Sequence, residues 1–189
     1  ANETYDSLYG GVFRIWSVGA FFFFSGYGIM ESIKKEFRGY PSQEKVVAEL
    51  MRSGIRVIDG VAYCNDIKIS DSALGRASGV DRRVVRTTLE KIDSVPKLKR
   101  IFSNLISISL LSDVAGDMGC TTIEITPQDS RIPGILSDVT QVVYRAGISV
   151  KQAVVVEPGY DGEPRLVMVL DGVFPSEQLP VLRSCHGVK

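Results

Sequence analysis

From Ser42 onward the chain alternates between helical and strand-like spacing of its apolar residues. Val46, Val47, Leu50 and Met51 fall at i, i+1, i+4 and i+5, on one helix face, with Ser42 as N-cap and Gly54 as C-terminal stop. The spacing predicts a helix over 42–53. Ile55-Arg56-Val57-Ile58 and Val61-Ala62-Tyr63-Cys64 are β-prone runs, and the Asp59-Gly60 pair between them suits a two-residue type I′ turn. A hairpin is expected there, with a further strand at Ile67-Lys68-Ile69 after the Asn65-Asp66 turn. Asp71 then caps a short helix that carries Leu74 and Ala77 inward, Gly79 reverses the chain, Val80 plugs the corner, and Asp81 caps a second helix. On that second helix Val85, Leu89 and Ile92 repeat at i, i+4, i+7. Pro96 opens another helix on Leu98, Ile101, Phe102, Leu105 and Ile108, and the Ser107/Ser109 alternation marks a break before a short helix over 110–118.

The last third has a different order. Thr121–Thr126 alternates as a half-buried strand, the loop Pro127–Gly134 follows, and Ile132, Ile135, Leu136, Val139, Val142, Val143 and Ala146 form one helical stripe ended by Gly147. Ile148–Val156 and Arg165–Leu170 read as strands around a Pro-, Gly- and Asp-rich turn, and Pro180 suits the first position of a last short helix from about Leu179. The order is β-α-β-β-α, a ferredoxin-like unit without its last strand. The fold class is α+β.

Composition narrows the classes of function. With 189 residues, 44% of them hydrophobic, the chain has material for one or two compact domains and is neither disordered nor collagen-like. Its 22 basic and 22 acidic side chains cancel, so any contact with nucleic acid must rest on a local patch. Residues 30–119 carry 15 basic and 12 acidic side chains, and residues 120–189 carry 6 and 8, so a basic half precedes an acidic one. Cys64, Cys120 and Cys185 are odd in number and widely spaced, which fits neither a disulfide framework nor a paired-cysteine zinc motif and points to a reducing cytoplasm. The lone histidine, His186, stands beside Cys185 without further ligands, and the pair is assigned no chemistry. No nucleophile–base pair, phosphate-cradling glycine loop or metal constellation is present, so neither an enzyme nor a cofactor is expected.

The start of the chain is anomalous. Residues 8–30 are apolar and aromatic with one charge, Arg14, and the 15 uncharged residues from Ile15 to Ile29, just before Met30, are fewer than the roughly 20 that span a bilayer. It lacks the basic region and cleavage site of a signal peptide. Met30-Glu31-Ser32-Ile33-Lys34-Lys35 reads as an ordinary start, and residues 1–29 read as translated upstream sequence. A hydrophobic anchor, which would bring in a membrane, and a signal or packed strand remain as alternatives.

The capped pair of helices over 71–92 has the spacing of a helix-turn-helix, winged-helix-like with its β-hairpin. Val85, Leu89 and Ile92 face inward, so Arg83, Arg86 and Glu90 must face outward, flanked by Arg82 and Thr87. In that motif the first turns of the second helix enter the major groove, where guanidinium groups bond guanine edges or phosphates. Residues 76–100 hold eight basic and three acidic side chains, so positive charge concentrates where double-stranded DNA would need it. A solvated helix face is the plain alternative for Arg82, Arg83 and Arg86.

The strand over 121–126, the entry Asp129-Ser130-Arg131-Ile132-Pro133-Gly134-Ile135-Leu136 and the passage Arg145–Val150 resemble an ACT domain over about 70 residues. With the preceding motif, residues 42–189 are similar to an archaeal family of predicted regulators of amino-acid metabolism that join a helix-turn-helix to an ACT domain. The division implied is an extension over 1–29, a helix-turn-helix domain over 30–95, connecting helices over 96–118 and an ACT domain over 119–189 that departs from the family by lacking its fourth strand. The resemblance implies a homodimer through the ACT domains. It also implies a small effector, an amino acid or similar metabolite, held by Asp129 to Leu136 and by Ile148, Ser149 and Val150. The residues are compatible with that, because Gly134 allows close backbone approach and the free N–H groups of the helix after Pro133 suit a carboxylate. A tight strand-to-helix connection is the alternative for Pro133-Gly134. The function implied is ligand-responsive transcriptional regulation, and the alternative is an ACT-containing regulator that docks a biosynthetic enzyme without DNA.

Overall fold

The computed structural model describes residues 5–6, 12–13, 33, 35–156 and 163–189. The chain divides into two compact units, residues 1–39 and 40–189. In the first, β1 (Tyr5–Asp6) pairs antiparallel with β2 (Val12–Phe13). The expectation that residues 1–29 are upstream sequence, an anchor or a signal lies outside the described residues, apart from these two short strands. Among the described residues no helix is long and apolar enough to cross a membrane.

The second unit is α+β, with six α-helices and two small antiparallel sheets among the described residues. Its first part, the head, begins with α1 (Pro41–Arg52), which buries Val46, Val47 and Leu50. The helix starts at Pro41 with Tyr40 in the cap position, so Ser42 lies inside the first turn and is not the cap. The sheet β3 (Arg56–Ile58), β4 (Val61–Cys64), β5 (Ile67–Ile69) follows in that order, with Val57↔Ala62 and Ala62↔Ile69 in register. Asp59 at φ 48° and Gly60 at φ 71° make the turn that their dipeptide predicts.

Two helices, α2 (Asp71–Ser78) and α3 (Arg82–Ser94), are joined by a reversal at Gly79, φ 64°. The cap of α2 is Ser70, whose hydroxyl accepts from Ala73 N at 3.2 Å; Asp71 is the first helical residue. Asp81 caps α3 through Arg83 N at 2.8 Å, as its position predicts. Leu74, Val85, Leu89 and Ile92 are buried, but Ala77 is exposed and does not point inward. Helix α4 (Pro96–Phe102) buries Leu98 and Phe102 and then stops. Leu105–Ile108 do not continue it, and residues 112–119 form turns where a helix over 110–118 is expected.

The second part, the tail, holds β6 (Thr121–Ile125), α5 (Ile135–Arg145), β7 (Val150–Val156), β8 (Arg165–Leu170) and α6 (Leu179–Arg183). The sheet order is β6-β8-β7, both pairings antiparallel, so β6 and β7 run parallel with β8 between them and α5 connects them. Val139, Val142 and Val143 of α5 and Leu182 of α6 pack with Ile125, Leu166, Met168 and Leu170 into one core. The opposite residues of β8, Val167 and Val169, are buried as well. A strand covered on both faces reads as an unbroken apolar run, as Leu166–Leu170 does. On the outer edge of β6, Gln128 N donates to Gly187 O at 2.8 Å and Lys189 N to Thr126 O at 3.0 Å, with an antiparallel bridge between Pro127 and Val188. These residues occupy the place a fourth strand takes beside the first in a ferredoxin-like sheet, although they form only a bridge.

Candidate functional site

Three features of the second unit bear on function: the arginine face of α3, the loop before α5, and the segment between them.

Arg82, Arg83, Arg86 and Thr87 are all exposed on the first half of α3. Burial of Val85, Thr88, Leu89 and Ile92 on the opposite face turns them outward. Arg86 Nε is 2.9 Å from Glu90 Oε1, an exposed i,i+4 pair that holds the guanidinium loosely. Arg82 and Arg83 form no ion pair among the described residues. The Thr87 hydroxyl donates to Val84 O at 3.0 Å and accepts from Gln43 Nε2 at 3.4 Å, so it braces α3 against α1. The arginines also line a cleft of about 470 Å³ whose other walls are Val61, Lys68, Ile69, Ser70, Asp71 and Ser72. Lys68 is not singled out by the sequence, because only the fold brings β5 and α3 to one cleft.

In the tail, the loop after β6 encloses a second, smaller cleft of about 170 Å³. Ser130, Ile132, Gly134, Ile135 and Leu136 line it, while Asp129, Arg131 and Pro133 lie off its wall. Ile125, Pro127, Val155, Pro164, Arg165 and Leu166 complete it. Gly134 adopts φ 95°, which delays the start of α5 to Ile135 and leaves Ile132 outside the helix. The first intrahelical bond is Asp138 N to Gly134 O, so the N–H groups of Ile135, Leu136 and Ser137 precede the ladder. Asp129 accepts from Arg131 Nη2 at 2.7 Å, from Arg131 Nε at 3.0 Å and from the Arg131 amide at 2.9 Å. Those hydrogen bonds hold its carboxyl well below the usual range, at about 2. Both charges of this loop are therefore engaged with each other.

Ile148, Ser149 and Val150 do not join this cleft, contrary to expectation. Val150 pairs with Leu170 at the end of β8 that Thr121 also faces, whereas the loop leaves β6 beside Ile125 and Leu166. Because β6 and β7 are parallel, the end of β7, not its start, lies beside the loop. Five residues at about 3.3 Å each put Val150 roughly 16 Å from Val155. Cys185 packs against the tail core, and burial first, with Asp138 second, raises its thiol pKa. Among the described residues no cluster of three His, Cys, Asp or Glu could hold a metal.

Between the two clefts, residues 105–111 run as an extended strap held by two side-chain amides. Asn65 of the head accepts from Ser107 N at 3.2 Å and donates to Ser107 O at 3.3 Å. Gln152 of β7 accepts from Leu111 N at 2.9 Å and donates to Ser109 O at 2.9 Å. Each amide imitates a neighbouring strand. The Ser107 hydroxyl donates to Ser53 O at 2.6 Å, and a Cβ on Gly54 would stand 2.6 Å from Ile106 O, so strap and head are in close contact. Thr122 Oγ1 bonds Ser112 O at 2.8 Å, which fastens the next residues to the face of Val167 and Val169. Ile106, Ile108 and Leu110 remain exposed on the outer side.

Compared with family models, curated proteins and solved structures, the chain finds no match in any of the three.

Proposed function

We propose that this protein is a ligand-responsive transcriptional regulator of amino-acid metabolism, cytoplasmic and without catalysis. In this reading α2 and α3 are a helix-turn-helix that enters the major groove of duplex DNA. The tail is an ACT domain that binds a small metabolite at Ser130 to Leu136. The observation that carries the reading is the exposure of Arg82, Arg83 and Arg86 on the first turns of α3, which follows the reversal at Gly79 and is capped by Asp81, as α2 is capped by Ser70. The β3–β5 sheet precedes the helix pair, whereas a winged helix places its wing after the second helix, so the likeness is to the helix-turn-helix itself.

The tail cleft, at about 170 Å³, is smaller than the roughly 300 Å³ at which small-molecule pockets begin. A second copy would enlarge it. β7 is the outer strand of its sheet, and its Val155 is 59% exposed beside the cleft. Two tails paired antiparallel along β7 bring the second copy's Ile148–Val150 segment to this chain's Val155, which reunites the two stretches that one chain keeps apart. Ligand between the copies then alters the spacing of two α3 helices, and half-site spacing converts that change into DNA affinity.

Mobility-shift titration of duplex DNA from the gene's own upstream region, with and without each amino acid, tests the reading. Salt-dependent binding that one amino acid changes is expected. Absence of binding at low salt under every condition refutes the DNA role. One observation favours the enzyme-docking alternative: the exposed Ile106, Ile108 and Leu110 on the strap are an apolar stripe that a protein partner would cover. A pull-down after nuclease treatment separates the two, because neutralising Arg82, Arg83 and Arg86 abolishes DNA binding and leaves enzyme binding intact.

A further inference from the structure

The basic surface of the head is a cleft with two walls, and the second wall comes from the sheet. Lys68 stands exposed on β5, which pairs with β4 alone in the order β3-β4-β5. The same cleft is lined by Arg82, Arg83 and Arg86 of α3 and by Ser70, Asp71 and Ser72 at the start of α2. Four cations and one carboxylate therefore face a space of about 470 Å³, with Val61 and Ile69 as apolar lining. A recess of net positive charge beside low-dielectric walls focuses potential more than a convex helix face does. Among the described residues Lys68 forms no ion pair, and Arg86 pairs with Glu90 at the rim. Such a recess selects oxyanions closely spaced along a chain.

We propose that this cleft seats the phosphodiester backbone of one DNA strand, with Lys68 as a phosphate contact across from the arginines. The proposal rests on the DNA-binding reading above and adds to it a residue on β5 and a ligand chemistry, paired phosphate oxyanions. Lys68 then contributes affinity without reading sequence, because an ammonium on a phosphate carries no base information.

Anisotropy titrations of duplex DNA across a salt series, with the full chain as wild type, Lys68→Gln and Lys68→Arg, test this, alongside titration of wild type and Lys68→Gln with inorganic pyrophosphate. A phosphate contact makes Lys68→Gln lower the slope of log affinity against log salt by about 1, equally for unrelated sequences, and Lys68→Arg restores it. Wild-type DNA binding with an unchanged slope in Lys68→Gln overturns the cleft and leaves the DNA-binding reading standing. If the wild type binds pyrophosphate through Lys68 but no duplex, the DNA assignment falls and the cleft serves free phosphates. If it binds neither, both fall.

Discussion

Replacing Gly54 by alanine tests the claim that the strap is packed tightly on the head. Gly54 has φ 61°, where an L-residue is disfavoured by about 1–2 kcal/mol. The new Cβ would also meet Ile106 O at 2.6 Å and Ile106 C and Ser107 Cα at 2.9 Å, all backbone atoms that cannot rotate away. To clear it the strap must lift, and the bonds at risk are Ser107 Oγ to Ser53 O and Gly54 O, and the two between Asn65 and Ser107. Losing two of these at about 1 kcal/mol each brings the total to about 3–4 kcal/mol. Gly60→Ala is the control: its φ is 71°, but a Cβ there has nothing within 4 Å, so only the backbone penalty applies. The entropy that alanine removes from the unfolded chain is common to both variants and cancels in their difference. Urea unfolding of the two variants should therefore differ by about 2 kcal/mol, with Gly54→Ala the less stable. A difference below about 0.5 kcal/mol would refute the tight contact, because the strap would then yield without losing its bonds.

Other consequences are as direct. Asp81→Ala removes the cap of α3 and should lower stability by about 0.5–2 kcal/mol in denaturant melts, and under the proposed function it also weakens DNA binding as the arginine turns fray. Gln152→Leu keeps the volume but leaves Leu111 N and Ser109 O without their amide; a loss of about 1–3 kcal/mol and faster hydrogen exchange at Leu111 are expected. Asp129 has a carboxyl lowered from 3.8 to about 2, so it adds stability above the unfolded value that is lost as pH falls through about 2. Asp129→Asn should flatten the decline between pH 4 and pH 2 in acid unfolding, and a carboxyl resonance titrating near the ordinary value in the wild type would contradict this.

Much of the secondary structure is legible locally. Asp59-Gly60 and Gly79 carry their turn geometry within one or two residues, and Asp81 caps α3 where its place before Val85 and Leu89 predicts. The cap of α2 is Ser70 and not Asp71 because two candidate caps stand side by side and only backbone geometry chooses, and α1 starts ahead of Ser42 because Pro41 suits the first helical position. The run Ile101–Leu111 misled for a deeper reason. Its apolar spacing suits a helix, but beyond Phe102 the backbone satisfies its hydrogen bonds with Asn65 and Gln152, both more than 40 residues distant in sequence.

The chain's own order of residues determines most of the helices and strands and that α3 turns its arginines away from the core, because these depend on neighbours within a turn or two. Only the folded arrangement decides that Lys68 faces the arginines, that the end of β7 rather than its start lines the tail cleft, and that the strap joins head to tail. Those features depend on which strand lies between which, and strand order is set by burying Leu166–Leu170 on both faces at once, a balance summed over the whole unit rather than written at any one position.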